Sequence, residues 1–139
     1  MRILALDHGT KRVGVAISDE LKMIAQPLEF IPAEPFDAFL MRLNEVLSEK
    51  EVELIVVGLP RSMSGACGPA ALKVQDFVEA LKSEVGIPIR TWDERLTSVQ
   101  ANRSLREAGM RGQQRRQTVD KVAAAILLQS YLDSVETSA

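Results

Sequence analysis

Cysteine and histidine are nearly absent from this sequence: among 139 residues there is one of each, Cys67 and His8. A single cysteine excludes an internal disulfide framework and a cysteine-rich zinc cluster, and a single histidine excludes sites built on histidine pairs. A metal site made only of oxygen ligands stays open. Aromatic residues make up 4% of the chain, so stacking on unpaired bases is at most a minor theme. Long apolar runs are lacking too. The longest, residues 122–128, falls far short of the roughly 18–20 residues that cross a bilayer. Asp7 interrupts the one early apolar stretch, which therefore does not read as a leader. The expectation is a cytoplasmic protein with no membrane partner.

There is also no excess of one charge. The net charge is −2 and the pI about 5.5, which alone argues against a nucleic-acid binder. The distribution argues the other way. Residues 90–121 hold 8 basic and 4 acidic side chains, while the remainder holds 9 basic and 15 acidic. A basic third on an acidic protein is an electrostatic footprint that the whole-chain value conceals.

What the chain does have is material for a core. It is 46% hydrophobic, and its length is that of one domain, expected to span 1–139. Residues 2–7 form a nearly continuous apolar run, the mark of a strand buried on both faces. Gly9 and Gly14 bracket a turn before a returning strand at 13–17, and Pro27 and Pro32 place a weaker third strand, within 24–31, at a sheet edge. Phe36, Phe39, Leu40, Leu43 and Leu47 predict a helix over Phe36–Glu49, followed by a buried strand at 53–58. The turn formers of 58–68 predict an irregular loop. A helix at 70–85, a fifth strand at 87–92 and a polar helix at 97–108 closed by Gly109 follow. Residues 112–117 offer no apolar anchor and are expected to be irregular, with Thr118 capping a last helix to about residue 133. Three strands followed by alternating helices and strands make an α/β domain with a mixed sheet, helices on both faces.

Three acidic positions stand out. Asp7 ends the first strand before the Gly9 turn; it reads either as an Asx turn closing the hairpin or as a ligand-binding carboxylate at the carboxyl edge of a sheet. Asp93 and Glu94 follow the fifth strand, where acidic residues also serve helix starts. Asp120 sits in the first turn of a helix that is apolar almost all round from Val122, so it either answers the helix dipole or faces Asp7 across close alanine packing. Carboxylates that converge repel unless a cation lies between them, and oxygen ligands favour Mg²⁺ or Mn²⁺. Two such ions about 3.5–4 Å apart clamp the attacking and leaving oxygens of phosphodiester cleavage. Cations surround these positions: Lys11, Arg12, Arg61, Arg95, Arg103, Arg106, Arg111, Arg115, Arg116 and Lys121. Singly each is a surface charge; the cluster around Glu94 and Asp120 suits phosphate positioning. Trp92 reads as core.

The segments Ala5-Leu6-Asp7-His8-Gly9-Thr10-Lys11-Arg12-Val13-Gly14-Val15-Ala16, Val57-Gly58-Leu59-Pro60, Asp93-Glu94-Arg95-Leu96-Thr97 and Val119-Asp120-Lys121-Val122-Ala123-Ala124 resemble the YqgF family over essentially the whole chain. The resemblance implies an RNase H-like fold, a five-stranded mixed sheet with its first three strands antiparallel. It also implies a metal-dependent nuclease, cofactor Mg²⁺ or Mn²⁺, that finishes the 5′ end of pre-16S rRNA. Asp7, Glu94 and Asp120 match the family's acidic positions, with Asp7 expected to bridge two ions. Two departures bear on substrate affinity: Ser64-Gly65-Ala66-Cys67 replaces an acidic residue followed by Gly, Thr and Glu, and Gln113-Gln114-Arg115-Arg116-Gln117 thins a dense basic run. The partner implied is structured RNA, with branched DNA as the alternative and a state between monomer and weak homodimer. Two rivals remain: a non-catalytic RNA-binding module, and a nucleotide-binding half-site of the kind sugar-kinase-like ATPases build from two such domains.

Overall fold

A computed structural model of the chain describes residues 1–9, 11–60, 68–94 and 113–138, with side chains of the last segment described for 123–135. Five strands, β1 (Arg2–His8), β2 (Arg12–Ser18), β3 (Ala25–Pro32), β4 (Val52–Leu59) and β5 (Ile89–Asp93), form one sheet in the order β3-β2-β1-β4-β5. The first three pair antiparallel, and β4 and β5 add in parallel. This is the mixed sheet expected from the sequence. Helices α1 (Phe36–Glu49) and α2 (Pro69–Lys82) and the long α3 (Gln113–Ser138) complete the described elements.

The alternation of side chains sorts the sheet into two faces. Leu4, Leu6, Val13, Val15, Ile17, Ile55, Val57 and Leu59 meet Phe39, Leu43 and Val46 of α1 and Val74, Val78 and Leu81 of α2. Ile3, Ala5, Ala16 and Val56 meet Ala123, Ala124, Leu127, Leu128, Tyr131 and Leu132 of α3. β1 is sandwiched between them, which is why its sequence is apolar at successive rather than alternate positions.

The edge assignment of β3 holds. Its prolines, which cannot donate to a ladder, sit in an outer strand that pairs on one side alone, and the register slips at Val15/Ala16 where Pro27 enters. Three boundaries differ from expectation. β5 begins at Ile89, because Pro88 enters as an acceptor, its carbonyl taking the Ile55 amide at 3.0 Å. α2 ends at Lys82, and the amides of Glu84 and Val85 both turn back to the Leu81 carbonyl at 2.9 Å. The third difference is the largest: the last helix starts at Gln113, not Thr118, and runs to Ser138, so 113–117 are helical. Gln and Arg are good helix formers, and a helix already anchored downstream extends through them without an apolar contact of its own. The predicted helix at 97–108 and most of the 58–68 loop lie outside the described residues.

Candidate active site

The carboxyl ends of β1, β4 and β5 lie side by side because those strands are mutually parallel. Asp7 is at that end of β1, and the period of two puts its side chain with Ile3 and Ala5 on the α3 face, where it is buried. Gly58 occupies the equivalent place on β4, on the same face as Val56; the register Leu6↔Val57 makes it the next step beside Asp7. Glu94 follows β5 directly and is 1% exposed. Its carboxylate lies over Gly58: a Cβ built on that glycine would stand 2.8 Å from Glu94 Oε1 and 3.0 Å from Leu127 Cδ2. Asp7 and Glu94 therefore share one face with β4 between their strands, two spacings of about 4.8 Å apart at their base, and the Glu94 carboxylate reaches back over Gly58, the neighbour of Asp7. A side chain at position 58 would push the Glu94 carboxylate or the end of Leu127 aside. Sequence reasoning set Gly58 where the strand at 53–58 meets the loop at 58–68 and gave it no contact of its own. The available signal was a glycine ending an otherwise apolar strand, a place where another group approaches closely.

Burial and the charge of neighbouring Asp93 push the Glu94 carboxyl up to about 7. Asp93 itself pairs with Leu59, a residue of the α1/α2 core, and so belongs to the opposite face. His8 also turns that way. Its ring stands 4.4 Å from that of Phe77 on α2, and burial, with Lys73 adding, lowers its pKa. Trp92 is the core residue expected: it faces α3, its Nε1 donates to Ser130 Oγ at 3.2 Å, and it meets Tyr131 edge-on.

The turn after β1 is held by the Gly9 amide donating to the Arg12 carbonyl at 2.9 Å, and a Cβ on Gly9 would stand 2.6 Å from that oxygen. Glycine is obligatory there by contact. The turn delivers Lys11, exposed, and Arg12, half-buried, to the edge that carries Asp7.

Asp120 lies on α3 in the portion of which the backbone is described. Leu127 packs over Gly58 near the carboxyl edge, whereas Tyr131 accepts from Arg90 at 3.3 Å and Gln129 accepts from the Ala25 amide at 2.9 Å, both further from that edge. The helix thus runs toward the carboxyl edge as residue number falls. Position 120 precedes Ala123, Ala124 and Leu127 by three, four and seven residues, and its side chain falls outside the described residues. The backbones of Arg115, Arg116 and Lys121 lie on the same helical segment, and their side chains, like those of Arg61, Arg95, Arg103, Arg106 and Arg111, fall outside the described residues. Among the described residues no three His, Cys, Asp or Glu side chains form a metal cluster. The two described carboxylates still fit a hard divalent ion: both are buried, both offer only oxygen, and Glu94 sits where a nearby cation would restore its ionised form. Among the described residues no helix is long and apolar enough to cross a membrane.

Residues 1–134 match the family described as RuvX: Holliday junction resolvase. A protein of Desulforamulus reducens, provisionally named a pre-16S rRNA nuclease, is 45% identical over 134 residues, 96% of this chain and 98% of that one. One of Moorella thermoacetica, with the same name, is 49% identical over 133 residues, 96% and 95% of the two chains. Among solved structures, T. thermophilus RuvC in complex with a Holliday junction substrate is similar at a TM-score of 0.53 and 18% identity, covering 98% of this chain and 96% of that one. With the strand order, that similarity makes the fold RNase H-like.

Proposed function

The chain belongs to the RuvX family, also called YqgF, and from that premise we propose that it is a metal-dependent nuclease of structured RNA that matures the 5′ end of pre-16S rRNA. It is a phosphodiester-hydrolysing enzyme, and the reading places its reaction at the carboxyl edge of the sheet. The observation that carries it is the pair of buried carboxylates, Asp7 and Glu94, held on one face across Gly58. A protein that only bound a polyanion would be weakened by burying two carboxylates under its binding surface.

Asp7, Glu94 and Asp120 would hold the ion or ions. When bound, divalent cations supply an activated water and neutralise charge on the phosphate during in-line displacement. The protein's own contributions are separate. Gly58 admits the Glu94 carboxylate to the face Asp7 occupies, and Leu127 packs over Gly58 beside it. Lys11 and Arg12, together with the basic residues 95–121, draw the phosphate backbone to the edge. The whole reads as a single domain of 139 residues that works in the cytoplasm.

The test compares wild type with Asp7→Asn and Asp120→Asn on a precursor spanning the 16S rRNA 5′ end and on a four-way DNA junction, each with Mn²⁺ and with EDTA. The expected result is metal-dependent cutting of the RNA that falls on the order of 10³-fold in both variants, with RNA binding kept or tightened. The family's own description favours the junction as the second substrate, and cutting of the junction alone would put that reading first. Binding without cleavage of either, unchanged in the variants, would leave a non-catalytic module.

A further inference from the structure

Strand β5 and helix α3 meet in an ordered series of contacts that runs up to the carboxylates. Toward α3, β5 presents Arg90 and then Trp92, and Glu94 follows two residues on. The helix answers in the reverse order. Tyr131 Oη accepts from Arg90 at 3.3 Å, Ser130 Oγ accepts from the Trp92 indole Nε1 at 3.2 Å, and Leu127 stands with Glu94 over Gly58. Tyr131 also meets the Trp92 ring edge-on, with centroids 5.4 Å apart. Ser130 is three residues from Leu127 and so lies on the adjoining turn of the same side of the helix.

Of these contacts the Trp92–Ser130 bond bears most directly on the site. Trp92 is the register partner of Gly58, the residue over which the Glu94 carboxylate lies, so the indole is rooted one strand spacing, about 4.8 Å, from the place that carboxylate covers. β5 is an outer strand of the described sheet, five residues long and paired there with β4 alone. Trp92 is its one large apolar side chain toward α3. Apolar contact is non-directional and lets a strand end slide under a helix, whereas a hydrogen bond fixes separation and direction together. A slip of about 1 Å at the end of β5 would carry Glu94 with it, while Asp7, on a strand flanked by β2 and β4, stays in place. We propose that Ser130 is a positioning residue for the metal-binding carboxylates: by holding the Trp92 indole it fixes the end of β5 against α3, and so the place of Glu94 relative to Asp7. The proposal rests on the nuclease reading above.

The experiment titrates the RNA-free protein with Mn²⁺ by calorimetry, and separately follows cleavage of the 5′ precursor RNA against Mn²⁺ concentration. Ser130→Ala and Trp92→Phe each delete the hydrogen bond. Both are expected to weaken Mn²⁺ binding about tenfold in either titration, with the rate at saturating Mn²⁺ kept within about twofold. Ser130→Thr keeps the hydroxyl and should restore the affinity. Tyr131→Phe is the structural control: it removes the Arg90 bond from the same seam and keeps the ring against Trp92. Whatever it costs in thermal stability, it should leave the Mn²⁺ midpoint where it is. Because the chain has a single tryptophan, Trp92 emission in the wild type should change with Mn²⁺ along the calorimetric curve. Wild-type affinity in Ser130→Ala, an equal loss in Tyr131→Phe, or emission indifferent to bound Mn²⁺ would overturn this inference and leave the nuclease reading standing. Wild-type protein that neither binds Mn²⁺ nor cuts the RNA would overturn both.

Discussion

The two faces of the sheet are built from different residues. Toward α1 and α2 the strands offer leucine, isoleucine and valine, and the helices answer with Phe39, Leu43, Val74 and Leu81. Toward α3 they offer Ala5 and Ala16 beside Ile3 and Val56, with Gly14 and Gly58 at the carboxyl end, and the helix answers with Ala123 and Ala124 before its larger residues begin. Large side chains hold a helix off the sheet and fill the space between with apolar volume; small ones let it come close. The face of small residues gains less from burial and is tied down by polar contacts instead: Gln129 to the backbone of Met23 and Ala25, Tyr131 to Arg90, Ser130 to Trp92. In exchange it has room at its open end for two carboxylates. One face supplies stability, and the other accepts a cost to hold charge.

Breaking the stable face gives the largest effect. Leu43 is fully buried in the α1/α2 core, and Leu43→Ala should cost about 3–4 kcal/mol, seen as a lower urea midpoint with the slope unchanged. The fraction that stays folded should cut RNA at the wild-type rate. A drop in rate per folded molecule would mean that the two faces are not separable.

The cost borne by the other face can be read as a pH dependence. Glu94 is raised from 4.5 to about 7, so in EDTA the folded protein holds a proton that the unfolded chain has already released. A raised acid contributes stability that is fully present below pH 4.5 and is lost as pH climbs through 7. The loss by pH 8 is about 3 kcal/mol. Glu94→Gln should flatten the wild-type decline between pH 4.5 and 8, and saturating Mg²⁺ should reverse it in wild type only. His8, whose pKa is lowered, acts with the opposite sign and cancels in the difference between the two proteins. Parallel stability profiles for wild type and variant would remove Glu94 from its charged, buried role.

The sequence was informative about the first face and half-informative about the second. Apolar runs and their turns disclosed all five strands and the helix over Phe36–Glu49, because burial on both faces leaves an unambiguous signal. Asp7 and Glu94 were legible as acidic residues ending strands, which is a property of the chain. Their meeting is a property of the register, and no local pattern carries it. Gly58 looked like loop chemistry because it begins a run of turn formers, and its real role depends on a side chain 36 positions away. The first turns of α3 were missed for the complementary reason: Gln113, Gln114, Arg115 and Arg116 have helix propensity without periodicity, and it is the packed part downstream that makes them helical.

The comparison between the faces is sharpened most finely by one methyl group. In Gly58→Ala the new Cβ would meet Glu94 Oε1 at 2.8 Å and Leu127 Cδ2 at 3.0 Å. Both neighbours are ends of flexible side chains, so the backbone need not move. The carboxylate yields first, since it can swing while Leu127 is held among Ala123, Ala124 and Leu128. Stability should therefore change by less than about 1.5 kcal/mol, while cleavage falls roughly tenfold because the carboxylate is pushed off Gly58, away from the face it shares with Asp7. Metal titration of the cleavage rate should show a higher midpoint than wild type, whereas salt-dependent RNA binding in EDTA should stay the same. The equivalent methyl change on the other face, Val57→Ile, adds volume to an aliphatic core and should trade a comparable loss of stability for no change in metal dependence. If Gly58→Ala left both rate and metal midpoint untouched, the missing side chain would be a packing feature only, and the room on the α3 face would have nothing to do with holding Glu94.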